Sequence, residues 1–389
     1  MTAQQIKNWH RSVVLLFVFM GLAWAALLTR MPLIKADLGV TAAQLGVIFI
    51  AGGVGALVGL NIIGRLIAKF GTKLWIKVMY PAAAVLILLG ALAIEMHQPI
   101  TYAIIGFFLG ATFGMTDVPV NVDGTALEKL TSKNLMPRLH AGYSLGTLLG
   151  SGWGTLAAAL HLNVINTVIE LAIVQAIIPF FLLKYLPEGT GKETKQEAHE
   201  EKPAHWFKPV LLLFGLGILG ITLAEGGAGD WMTLGFKEGY GATEAQAGLG
   251  FSVFFAGMVI VRFFGGNFAD RIGKGRALQL FAALGVLGII LVILGSSNFV
   301  LGWLGAALWG TGVALGFPLF LSAAGEGENS ARRVSFVASW GYGAFLAGPP
   351  LLGLLADNIG MLNMFYVMAA WLFIALIAAS AVKNKKATA

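Results

Sequence analysis

"GVTAAQLG" (Gly39–Gly46) and "GATEAQAG" (Gly241–Gly248) are one short phrase written twice, sharing Gly, Thr, Ala, Gln and Gly at an offset of 202 residues. The offset persists further along. "GRLIAKFG" (Gly64–Gly71) aligns with "GNFADRIG" (Gly266–Gly273), and Gly142-Tyr143 aligns with Gly341-Tyr342 at 199. One such coincidence would mean little. Three in order, at nearly constant spacing, divide the 389 residues into two related halves.

Composition says what the halves are made of. The chain is 57% hydrophobic and 12% charged, with mean hydropathy +0.80, whereas soluble domains run about 45–50% apolar and about 25% charged. This is the composition of an all-α polytopic membrane protein. A membrane helix needs about 20 mostly apolar residues, which places six spans near 11–29, 42–63, 75–95, 99–121, 139–160 and 164–186. The polar stretch "PEGTGKETKQEAHEEKPAH" (Pro187–His205) follows, and then six more spans near 208–228, 243–263, 277–295, 299–322, 334–354 and 361–382. The expected organisation is an N-terminal six-helix half (1–186), a cytoplasmic linker (187–207) and a C-terminal six-helix half (208–389). Twelve transmembrane helices in two parallel-repeat halves are a transporter layout, with binding sites near the midplane where the repeats meet.

Loop charge sets the orientation. With both termini cytoplasmic, 23 of the 26 Lys and Arg residues fall in cytoplasmic segments or at cytoplasmic helix ends, and only Arg30, Lys35 and Lys237 fall outside. The positive-inside rule selects that orientation. It also explains the net charge of +7, which in a soluble chain would point to nucleic acid. Lys7, Arg11, an apolar stretch and Ala23-Trp24-Ala25 imitate a cleaved signal, but the repeat needs this segment as its first span. There is no cysteine, hence no disulfide or thiolate site. "GYSLG" (Gly142–Gly146) matches a nucleophile elbow by spelling alone, since that motif needs a strand-to-helix turn. No His-Glu-x-x-His and no phosphate-binding Walker loop is present, so metal catalysis and ATP-driven pumping find no support, and no cofactor is expected. Patterns such as Gly146/Gly150/Gly154 read as close helix packing.

The stretch "GNFADRIGKGR" (Gly266–Arg276) resembles the loop signature of the major facilitator superfamily, Gly-x-Leu-small-Asp-Arg-x-Gly, between the second and third spans of a half. The first-half copy "GRLIAKFGTK" keeps Gly64, Leu66 and Gly71 but carries Ala68 where the family has Asp. "DVPVNVDG", "MPRLHAGYSLG", "LAEGGAGDW" and "GPPLLGLLAD" are similar to bacterial members grouped with the fucose permeases. The resemblance covers essentially the whole chain. It implies that spans 1, 4, 7 and 10 line a central cavity, that 2, 5, 8 and 11 form the moving interface, that 3, 6, 9 and 12 face lipid, and that the halves rock in alternating access. It implies a monomer in the bacterial inner membrane. The partners it implies are a small-molecule solute, protons and lipid, with no nucleic acid.

Several polar residues within spans carry the functional expectations. "TDVPVNVDG" (Thr116–Gly124) closes the fourth span with two carboxylates, and intramembrane ionisable groups are functional candidates by default. Asp117 and Asn121 are one turn apart, about 40° round a helix, and share a face. Asp117 either pairs with Arg138 or His140 or handles protons or solute, while Asp123 is expected in the cytoplasmic loop. Pro119 frees the carbonyl of Met115. Glu225, deep in span 7, is the second proton-coupling candidate, with a structural role as its alternative. Glu170 reads as an outer-helix charge. Arg30 either attracts an anionic solute, pairs in an outer gate, or snorkels to headgroups. Substrate-binding candidates are Trp24, Arg30, Asn121, His140, Tyr143, Trp309, Trp340 and Tyr342, two of the five aromatics being expected to touch ligand. Gating candidates are Asp270, Arg271, Arg332 and Arg333, with Asp270 placed near the cations or the N-terminus of span 5. The function expected is proton-coupled import of a small polar, sugar-like or organic-acid solute. The alternatives are proton-coupled export of drugs or metabolites and, remotely, a membrane sensor or enzyme.

Overall fold

A computed structural model describes residues 1–131, 135–192, 207–326 and 329–383, without the side chains at 137 and 331. Residues 193–206, most of the expected linker, lie outside the described residues. The chain forms two compact units, Met1–Ala198 and His199–Ala389.

In the first unit α1 (Ala3–Thr29) is followed by a short α2 (Met31–Leu38), then α3 (Ala42–Phe70), α4 (Thr72–Glu95), α5 (Pro99–Thr131), α6 (Met136–Ala159) and α7 (Val164–Leu183). The second contains α8 (Val210–Leu234), which ends in a π-helical turn at Gly235–Gly239, then α9 (Glu244–Ile272) and α10 (Lys274–Leu294). It closes with α11 (Phe299–Val313), α12 (Gly316–Ala324), α13 (Ser330–Ile359) and α14 (Met361–Ala378). Among the described residues, α2 aside and with α11 and α12 counted as one broken span, these make the twelve expected crossings. Ten are apolar and long enough to cross by composition alone. The other two, α6 and α13, have the length at 24 and 30 residues but carry more polar and small residues. These are the fifth and eleventh spans, the pair that the resemblance assigns to the moving interface.

The repeated phrase has a mechanical meaning. Thr41 and Thr243 each cap a helix: the threonine oxygen accepts from the amide of Gln44 or Gln246, and that glutamine's side chain accepts from the threonine amide. Two orphan donors are satisfied reciprocally at the start of the second span of each half. Gly39 and Gly241, both at φ 63, end the preceding segment in a left-handed turn that a side chain disfavours. Packing repeats as well. α1 lies against α6, α3 against α5 and α4 against α7, as α8 lies against α13, α9 against α11 and α10 against α14.

Small residues set the closest approaches. A Cβ on Gly146 or Gly150 of α6 would lie 2.0 Å from the carbonyl oxygen of Val18 or Leu22 on α1, so the backbones touch, as glycine patterns in membranes permit. Large apolar side chains face outward, with Ile100 76%, Phe264 71% and Val300 70% exposed, which is tolerable only in lipid. At a polar end, Lys73 Nζ donates to Glu188. That hydrogen bond and the ammonium charge hold the exposed Glu188 carboxyl below its ordinary value, so the tie persists at neutral pH and is lost as acid protonates Glu188.

Two expected boundaries move. α5 runs 33 residues without a break, about 50 Å at 1.5 Å per residue, and carries Asp117, Asn121 and Asp123 alike. Asp123 is therefore not in a loop; it is fully buried. α9 continues to Ile272, so Arg262, counted with the cytoplasmic helix ends, instead sits well inside its span.

Candidate functional site

The first unit gathers its site on one face of α5. Phe113, Asp117 and Asn121 follow at four-residue steps, and Asn121 Nδ2 donates both to Asp117 Oδ1 and to the Asp117 carbonyl, each at 2.9 Å. The amide thus fixes the carboxylate's rotamer, and among the described residues no hydrogen bond or ion pair ties it to Arg138. The ring of Phe113 lies 6.1 Å from Trp24 of α1 and 6.5 Å from Tyr143 of α6, the latter edge-on. One turn before Tyr143, His140 packs against Phe17 at 5.1 Å. Trp24, Tyr143, Asn121 and Asp117 therefore share one neighbourhood, and Trp24 is 37% exposed.

Behind Trp24 and Phe113 a narrow cleft enters the unit between α1, α4, α5 and α7. Tyr80, Thr116 and Gln175 line it together with apolar groups. Gln175 was missed by sequence reasoning, because α7 was expected to face lipid. The signal was a carboxamide in the apolar second half of that span, after Asn166, Thr167 and Glu170 of its first turns. Asp123 is a structural carboxylate: Trp9 Nε1 donates to its Oδ1 at 2.9 Å, fastening the first turns of α1 to α5.

Arg30 does not reach the headgroups. It lies between α1 and α2, only 2% exposed, and its Nη2 donates at 2.5 Å to the carbonyl of Leu162 in the turn between α6 and α7. Arg30→Lys is expected to lower thermal stability, because an ammonium lacks the planar fork that holds this position. Affinities for matched acidic and neutral solutes should stay equal to the parent's; a selective loss for the acid would return Arg30 to the ligand.

In the second unit Arg262 of α9 donates through Nη2 to Glu225 Oε1 of α8 at 2.8 Å, and through Nε to the carbonyl of Ala314 at 3.3 Å. The second bond has a covalent cause. Pro318 carries no N–H, so the carbonyl four residues earlier, Ala314, loses its helix donor. The span breaks there, between α11 and α12, and the guanidinium takes the missing donor's place. Non-helical backbone at membrane depth is tolerated where the protein satisfies it. Glu225 is thus held in an ion pair, with about a quarter of each side chain exposed. Arg262 was missed because the sequence alone did not show that its helix continues for ten more residues.

The other candidates separate. Trp309 is fully buried, with rings of Phe254 and Phe365 at 5.9 and 5.4 Å; it is a core residue here, not an exposed ligand contact. Trp340 packs on Phe336 at 6.4 Å and covers Gly215, while Tyr342 is 46% exposed. Asp270 and Arg271 lie exposed on the last turn of α9. Arg333 is buried and its Nη1 donates to the Glu326 carbonyl, and the Glu326 side chain holds Lys274 at 3.0 Å. Lys274 also donates to Ser322 at 2.8 Å, a network that joins the starts of α10 and α13 to the end of α12. Glu170 is exposed on α7.

Comparison with known proteins gives one consistent result. The sequence pattern described as the Major Facilitator Superfamily matches residues 135–326 and 216–388, two overlapping stretches. An uncharacterized MFS-type transporter of Yersinia pestis is 28% identical over 372 residues, covering 95% of this chain and 94% of that protein. The membrane protein MosC of Rhizobium meliloti is 26% identical, covering 90% of this chain and 84% of its own length. A shorter stretch of 141 residues is 30% identical to the multidrug resistance protein MdtG of Yersinia enterocolitica, covering 35% of this chain and 33% of that protein. Among solved structures, a point mutant of the nucleoside transporter NupG superposes with a TM-score of 0.79 at 13% identity, covering 97% of this chain and all of that one. A bacterial homologue of the lysosomal transporter Spinster gives 0.68 at 12%, with 98% of each chain covered. At such identities the structural likeness concerns the fold.

Proposed function

Because the chain belongs to the major facilitator superfamily, and so is a multi-pass membrane transporter of a small molecule, we propose that it works by alternating access and imports a small polar, sugar-like or organic-acid solute together with protons. The observation that carries this reading is the face of α5, where the bonded pair Asp117 and Asn121 follows Phe113, whose ring meets those of Trp24 and Tyr143. Polar groups bind hydroxyls or a carboxylate there while a ring covers the apolar face of the solute. Asp117 and Glu225 are the proton carriers, Glu225 through its exchange with Arg262. His140, Trp340 and Tyr342 complete the solute contacts. Asp270, Arg271, Arg332 and Arg333 act at the cytoplasmic gate. The distribution of Lys and Arg puts both termini in the cytoplasm of a bacterial inner membrane, and the protein acts as a monomer.

Export is the second reading, and the stretch similar to MdtG favours it. Uptake into proteoliposomes, screened over sugars, sugar acids and amphiphilic drugs with and without a proton gradient, separates the two. Asp117→Asn or Glu225→Gln is expected to abolish gradient-driven accumulation and to leave solute exchange measurable, since an amide imitates the protonated acid but does not titrate. Full concentrative uptake in both single variants would remove these residues as carriers.

A further inference from the structure

Gln175 is the twelfth of the twenty residues of α7, about 17 Å along a helix that rises 1.5 Å per residue. A hydrocarbon core is about 30 Å thick, so the carboxamide stands near its middle. There it turns inward: the residue is 8% exposed and lines the narrow cleft behind Trp24 and Phe113. Its Oε1 is buried without a hydrogen-bond partner, which costs free energy in any apolar surrounding. Trp24 is the one exposed residue of the lining, Leu109 and Phe113 are half-buried, and the others are buried. The mouth is therefore at the two rings, and Phe113 stands one turn before Asp117 on the α5 face. The cleft opens beside that face.

The walls restrict what can enter. Gln175 Oε1 calls for a donor, and neither hydroxyl of the lining supplies it. The Thr116 hydroxyl donates to the Thr112 carbonyl at 2.7 Å, and the Tyr80 hydroxyl to the Leu16 carbonyl at 2.8 Å. No charged residue lines the cleft among those described. An ammonium would therefore enter unpaired, and a carboxylate would bring acceptors to an acceptor. A hydroxyl is the slender, neutral donor that remains.

We propose that the cleft is a subsite for one hydroxyl-bearing arm of the solute, and that Gln175 selects the arm by accepting from its O–H. The proposal rests on the reading of a polar solute bound at the α5 face, and it adds a specificity residue from outside that face. A narrow cleft admits an arm and not a ring. The body of the solute stays at Trp24 and Phe113, while a group the size of a hydroxymethyl reaches inward. A solute with a methyl in place of that hydroxyl leaves Oε1 unpaired. Its affinity should be lower by roughly tenfold to a hundredfold, because a buried polar group then goes unsatisfied.

The chain contains no cysteine, so a single introduced thiol reports on the cleft without further change. Ala83→Cys places one in the lining, and Ala23→Cys, also in the lining, serves if the first does not fold. Two methanethiosulfonates of nearly equal size, one with a hydroxyethyl arm and one with a propyl arm, react with the full-length protein in liposomes. The ratio of their rates, hydroxyethyl over propyl, should be about tenfold higher with Gln175 in place than with Gln175→Leu. A ratio that ignores Gln175, or thiols at both positions that react with neither reagent, overturns the assignment. In transport, a hexose is compared with the deoxy analogue that lacks its primary hydroxyl. Gln175→Leu should erase the parent's preference for the hexose and leave the affinity for the analogue unchanged. Equal losses for both sugars would make Gln175 a packing residue and overturn the assignment as well. Sugar import itself fails separately, if proteoliposomes take up no sugar while the thiol ratio still follows Gln175.

Discussion

Arg262→Ala is expected to destabilise the protein by about 4 kcal/mol and to abolish accumulation. Removing one partner of a buried ion pair costs about 3–5 kcal/mol, because the other charge stays behind uncompensated. Here each side chain keeps about a quarter of its surface exposed, which places the loss at the low end. The carbonyl of Ala314 loses its substitute donor in the same step, at a further cost of about 1 kcal/mol. Thermal unfolding in detergent should show the loss as a clear drop in midpoint. Glu225→Gln/Arg262→Met should recover most of that drop, since no lone charge remains, yet should stay unable to concentrate solute. If Arg262→Ala unfolds at the parent's temperature, the pair does not brace α8, α9 and the break in the tenth span.

Gly150→Leu should yield no folded protein at all. Its Cβ would stand 2.0 Å from the backbone oxygen of Leu22, well inside contact distance, and neither backbone can yield without separating α1 from α6 along their length. Interiors accept an added methylene only where a flexible neighbour can move; here the neighbour is main chain. Gly152→Leu, two residues on, is the control, because nothing lies within 4 Å of its Cβ position. Size-exclusion profiles of the two variants, expressed side by side, decide the matter. A parent-like peak for Gly150→Leu would mean the two helices do not approach so closely.

How much of the site was legible differs by residue. Asp117 and Asn121 were readable because two residues four apart on a helix share a face whatever the tertiary structure does, and their hydrogen bond is local. Asp123 was misplaced because it depends on Trp9, 114 residues away, and on a helix that outlasts its apolar run. Arg262 was misplaced for a related reason, since hydropathy falls where charges begin and not where hydrogen bonding ends. Trp309 and Trp24 look alike in sequence, two tryptophans in spans assigned to the cavity. Only packing makes one fully buried and the other 37% exposed.

By itself the sequence determined the membrane class, the order of the spans and the twofold repeat. Those follow from sums over many residues: apolar runs long enough to cross a bilayer, and capping phrases whose chemistry acts within a few residues. The tertiary structure alone decided that Glu225 meets Arg262, that the Ala314 carbonyl freed by Pro318 completes that contact, that Gln175 faces a cleft, and that Arg30 is buried beside a turn. Each of these joins groups far apart in the chain. Helix rotation and helix length set them, and an error of a few residues in a boundary turns a side chain by a large fraction of a revolution.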